Sequence, residues 1–119
     1  MPSEAYKSGM SEAQIWLMDY LRERYPTAVI LPEYEFAKPE RKWRFDVAAF
    51  TLNGPLAFEV EGVGRTQDGK YGRHQSIGGF IADMEKYNHA TARGFRVFRF
   101  TTKQILKGEV KAILEKYQI

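Results

Sequence analysis

Hydrophobic and polar residues alternate along this chain with two periods, and the switches between them mark its elements. Behind Ser11, a suitable helix cap, Ile15, Leu17, Met18 and Leu21 fall at helical spacing. That helix should stop before Pro26, because proline disfavours helical geometry in the residue before it. The stretch AVILPEYEF then reads as a strand, with Pro32 marking an edge or a bulge. KWRFDVAAFTL and LAFEVEG read as two further strands around Asn53-Gly54, a hairpin signal. From Ile77 to Arg93 the helical period returns, with Ile77, Phe80, Ile81, Met84 and Tyr87 on one face and Gly94 as the stop. FRVFRF is a fourth strand, and Thr101 or Thr102 caps a final helix that breaks near Gly108. The expected order is α-β-β-β-α-β-α, an α/β fold.

Composition narrows the picture only slightly. A chain of 119 residues, 44% hydrophobic, is expected to form one domain with a substantial core. Cysteine is absent, which excludes thiolate metal sites and disulfides and fits a cytoplasmic setting. The N-terminus has no apolar signal-peptide core, and no apolar run is long enough to span a membrane. The net charge of +3 permits a polyanionic partner without requiring one.

The informative stretch is RFDVAAFTLNGPLAFEVEG. Pro55 lacks the amide hydrogen that a two-residue loop would use, so a four-residue loop, residues 52–55, is expected. Ala48 then faces Glu59, and Asp46 faces Glu61. Strand alternation puts Asp46, Glu59 and Glu61 on one face at one end of the hairpin. It puts Phe45, Val47, Ala49, Phe58 and Val60 on the opposite, core-facing side. Phe50 and Ala57 share the acidic face, so a helix is expected to cover part of it. Opposed like charges destabilise a sheet and raise one another's pKa values unless a cation is present. A hard divalent ion such as Mg²⁺, held by one or two carboxylates with waters and phosphate oxygens, removes that conflict. The alternative is a plain solvated acidic face.

Residues 62–79 carry six of the ten glycines, together with Arg65, Lys70, Arg73 and His74. A long loop of this kind is more often functional than accidental. No Walker or Rossmann fingerprint is present, so Arg65, Lys70 and Arg73 are read as contacts to a DNA backbone.

WRFDVAAF, LAFEVEG, GRH, DMEKYN and GFRVFRF, in this order and spacing, resemble the PD-(D/E)XK nuclease superfamily. The likeness spans about Ser11 to Thr102. Its nearest look-alikes are the very-short-patch-repair mismatch endonucleases and small, partly phage-encoded, resolvase-like nucleases. The resemblance implies an αβββαβ restriction-endonuclease-like core: a mixed central sheet flanked by helices, with a C-terminal helix added. It implies Asp46 and Glu59 as ligands of Mg²⁺ or Mn²⁺, completed by the Val60 carbonyl. Glu12 matches an acidic residue of the first helix, His74 the histidine after the third strand, and Asp83 and Lys86 a charged pair on the next helix. Glu61 stands where the family's catalytic lysine would be, so Lys86 or His74 is expected to supply the general base. The implied activity is metal-dependent DNA cleavage directed by structure: a junction, flap, nick or mismatch. A two-fold-symmetric substrate would imply a homodimer. The alternative is a non-catalytic module that binds nucleic acid or protein on a nuclease fold.

Overall fold

A computed structural model describes residues 9–62 and 76–119. The elements are α1 (Glu12–Arg24), β1 (Val29–Glu35), β2 (Arg44–Thr51), β3 (Gly54–Glu61), α2 (Ile77–Ala92), β4 (Arg96–Thr101), α3 (Thr102–Leu106) and α4 (Glu109–Lys116). One four-stranded sheet has the order β1-β2-β3-β4, in which the first three strands are antiparallel and β4 runs parallel to β3. The chain is therefore an α/β domain with a mixed sheet and flanking helices.

Local chemistry sets the helix ends. The Ser11 hydroxyl accepts a hydrogen bond from the Gln14 amide and caps α1. Ser76 does the same for α2. Thr101 and Gln104 form a reciprocal capping box at α3. Gly94, at φ +88°, takes the left-handed conformation that lets the chain leave α2 and enter β4. Pro32 lies in β1, an edge strand, where its missing amide is tolerated.

Two apolar clusters lie on opposite faces of the sheet. The larger joins Ala13, Leu17, Met18 and Leu21 of α1 to Val47, Ala49, Leu56 and Phe58 of the sheet, and to Ile105, Val110 and Leu114 of α3 and α4. The smaller contains Phe36, Ala37, Phe45, Ala57 and the α2 residue Ala90. Trp16 and Trp43 are half-buried beside these clusters, consistent with packing roles.

Three expectations are corrected. The hairpin closes with the pair Thr51↔Gly54 around a two-residue tip, followed by Phe50↔Pro55 and Ala48↔Ala57. Only alternate pairs of an antiparallel ladder exchange N–H···O bonds, so Pro55 occupies an intervening pair and needs no amide hydrogen. The register differs from the expected one by two residues, so the side chains keep their faces. Continued one step, it brings Asp46 level with Glu59 rather than with Glu61.

The second correction concerns Phe45. It stacks on Phe36 at 4.1 Å between ring centroids and belongs to the α2-side cluster, whereas Val47 and Ala49 belong to the other. A regular strand would put all three on one side. The third concerns α2: Ile77, Phe80, Ile81 and Met84 are exposed, and the stripe turned toward the sheet carries Lys86, Tyr87 and Ala90.

Candidate functional site

β2 and β3 part company at Asp46. Their ladder ends at Val47↔Phe58, and beyond it the Asp46 carboxylate takes a backbone partner of its own. Its Oδ2 accepts a hydrogen bond from the Val60 amide at 2.7 Å. Glu59 is buried (6% exposed), an uncommon state for a carboxylate without a partner. Its Oε1 forms an ion pair with Lys86 Nζ and accepts a second bond from the Tyr87 hydroxyl at 3.2 Å. Lys86 and Tyr87 both come from α2, so that helix partly covers the acidic face, as expected from Phe50 and Ala57.

Asp46, Glu59, Val60, Glu61, Asp83, Lys86 and Tyr87 all line one cavity of about 380 Å³, completed in part by Lys42 and Trp43 from the β1–β2 connection and Arg44 at the start of β2. Burial pushes the Asp46 carboxyl up to about 6; the Val60 amide opposes this, nearby Glu59 adds to it, and Lys86 opposes it. Two carboxylates therefore share a partly desolvated space. Burial chiefly, with Glu59 adding, also raises the Tyr87 hydroxyl, which keeps it a proton donor toward Glu59.

Glu61 plays a different part. Arg99 of β4 grips it with Nε and Nη2, each 2.8 Å from a carboxylate oxygen, and the guanidinium lies over the Tyr87 ring at 4.6 Å. A bidentate pair of this kind fixes both partners. The hydrogen bond to Glu61 raises the Arg99 pKa further. Glu61 thus lines the cavity while holding a cation of its own.

Glu12 lies exposed in the first turn of α1 and is not a lining residue of the cavity. Arg65, Lys70, Arg73 and His74 lie outside the described residues, as does most of the glycine-rich stretch. Among the described residues no group of three or more His, Cys, Asp or Glu side chains is placed to hold a metal ion. Among the described residues no helix is long and apolar enough to cross a membrane.

Sequence reasoning missed Arg99, Tyr87 and Gln14. Arg99 lies at the register position beside Glu59 in the parallel β3–β4 ladder, a relation invisible until the strand order is known. Tyr87 was read as part of the helix's apolar face, although its hydroxyl points to the site. Gln14 gave a signal: it is a polar residue inside the apolar stripe of α1, and it is buried.

Comparison of the chain with protein-family models, with curated proteins and with solved structures gives no match. The function is therefore argued from the site itself.

Proposed function

We propose that the chain is a metal-dependent endonuclease that hydrolyses phosphodiester bonds in DNA, with Asp46, Glu59 and Lys86 at its centre. The observation that carries this reading is the convergence of these three side chains, from β2, β3 and α2, on one cavity where the β2–β3 ladder opens. The element order and the mixed sheet are compatible with the αβββαβ core that the resemblance to the PD-(D/E)XK nucleases implies. Fold likeness alone does not carry chemistry, so the reading rests on the site.

The donor set fits Mg²⁺ or Mn²⁺. These hard ions take oxygen ligands, and Mg²⁺ is commonly held by only one or two carboxylates, the remaining positions going to water and phosphate oxygens. Burial, with nearby Glu59 adding, holds the Asp46 carboxyl above its ordinary range, and a bound cation would favour its charged form. Asp46 and Glu59 would hold the ion, with the Val60 carbonyl as a third donor. When bound, the ion supplies charge neutralisation at the scissile phosphate and a more acidic water.

The chain's own residues do the rest. Val60 holds Asp46 Oδ2, so Asp46 Oδ1 would be the oxygen offered to an ion. Lys86 is carried by α2 to the acidic pair, where it can turn from Glu59 to the phosphate and stabilise charge developing in the transition state. This assigns the role of the family's strand lysine to a residue on the helix, while Glu61 at the usual lysine position is engaged by Arg99. His74 and the DNA contacts of Arg65, Lys70 and Arg73 stay part of the proposal on sequence grounds. Recognition of a junction, flap, nick or mismatch, with a homodimer on two-fold substrates, stays part of the proposal.

The test is cleavage of nicked, branched and mismatched DNA with Mg²⁺ or Mn²⁺ by the wild type, Asp46→Asn and Glu59→Gln. Losing a ligand should cost about 10³-fold or more, the equivalent of several kcal/mol of charge stabilisation. Wild-type activity in both variants would remove the site from the reaction.

A further inference from the structure

Gln14 is buried on α1 (6% exposed) and is not among the residues that line the cavity. Its side-chain amide donates to the main-chain carbonyl of Asp46 at 2.8 Å and to Glu33 Oε1 at 3.2 Å. Both acceptors mark the same interruption. The β1–β2 ladder runs through Pro32↔Val47, skips Glu33 and Asp46, and resumes at Tyr34↔Phe45. Glu33 has φ +49°, the left-handed conformation that a residue with a Cβ adopts reluctantly. Across this point Phe45 and Val47, two residues apart, enter clusters on opposite sides of the sheet.

These observations have a common explanation. A carbonyl turned out of a strand ladder must find another donor, because a buried unsatisfied carbonyl is costly. Gln14 is that donor. The capped first turn of α1 presents it, since the Gln14 backbone amide is itself tied to the Ser11 hydroxyl. Arg44 holds the other oxygen of Glu33 at 3.1 Å, so both acceptors at the interruption are engaged.

We infer that Gln14 is a positioning residue: it holds the main chain of Asp46 out of the regular ladder, so that the Asp46 carboxylate meets the Val60 amide and faces Glu59. Its relevance to catalysis rests on the nuclease reading, but the positioning itself does not.

The Val60 amide proton is the reporter, because it is bonded directly to the Asp46 carboxylate. In the wild type this hydrogen bond should protect it from exchange with solvent. Gln14→Met keeps the bulk and removes the donor. It should abolish that protection and weaken Mn²⁺ binding by about 10–100-fold, as loss of outer partners of a metal site commonly does. A core control, Ile105→Val, should change neither readout. If Gln14→Met fails to fold, the wild type carries the test. One Gln14 side-chain amide proton should be protected from exchange.

Unchanged Val60 amide protection and Mn²⁺ affinity in Gln14→Met, equal changes in Ile105→Val, or an unprotected Gln14 side-chain amide would overturn the inference. Absent DNA cleavage with intact Gln14-dependent protection of Val60 would remove the nuclease reading and leave this inference standing. Cleavage by Gln14→Met at the wild-type rate with unchanged Val60 protection would do the reverse.

Discussion

The two faces of the sheet follow different rules. The face packed by α1, α3 and α4 is an apolar core, with Leu17, Leu21, Phe58, Ile105 and Leu114 fully or nearly fully buried. The face under α2 has a smaller apolar cluster, set beside a buried carboxylate, a lysine and a tyrosine hydroxyl. There α2 turns its polar stripe inward and leaves Ile77 79% and Met84 61% exposed. Burying charge where hydrocarbon would serve is poor stability design, since desolvation offsets much of what an ion pair gains. The contrast teaches that one face holds the fold with hydrocarbon, while the other buries charge at a cost in stability.

Substitutions on the two faces should therefore act in opposite directions. Leu17→Ala, on the α1 face, should cost about 2–5 kcal/mol in urea unfolding, through lost burial and the cavity left behind. Mn²⁺ affinity of the folded fraction should be unchanged. If Leu17→Ala cost little while weakening Mn²⁺ binding, the division between the faces would fail.

Asp46→Asn, on the α2 face, should stabilise. Asp46 holds its proton more tightly in the folded chain, at about 6, than at the ordinary 3.8. The folded state therefore gains from this group at pH values below the ordinary range and loses that gain as pH rises through about 6. Removing the ionisation should make the metal-free variant more stable than wild type at neutral pH by about 1–3 kcal/mol. The difference should shrink toward pH 4 or so. A destabilised Asp46→Asn at neutral pH would mean that the carboxylate is a structural partner of Val60 rather than a charge kept for a cation.

The sequence made some of this legible, for physical reasons that can be named. Caps and breakers are local, so Ser11, Pro26, Gly94, Thr101 and Gly108 marked element ends that the structure reproduces. Strand alternation survives a register shift of two, so Asp46, Glu59 and Glu61 were assigned to the face that lines the cavity despite the wrong loop length. Alternation failed at Phe45 because the strand is interrupted beside it, through a hydrogen bond from a helix thirty-two positions away in sequence. The periodicity of α2 located the helix but gave the wrong side for burial, since hydrophobic spacing cannot show that the inward stripe is reserved for Lys86 and Tyr87. Lys86 itself was legible only as one of two candidates, with His74, for the general base. Its placement against Glu59 depends on how α2 crosses the sheet, a tertiary relation that spacing does not encode.

The claim beneath all of this is that the acidic pair is kept for a divalent cation. Calorimetric titration of Mn²⁺ into the wild type, Asp46→Asn and Glu59→Gln tests it most directly. Saturable binding in the wild type, lost in both variants, is the predicted result. Absence of binding in the wild type, or binding that survives both substitutions, would contradict it.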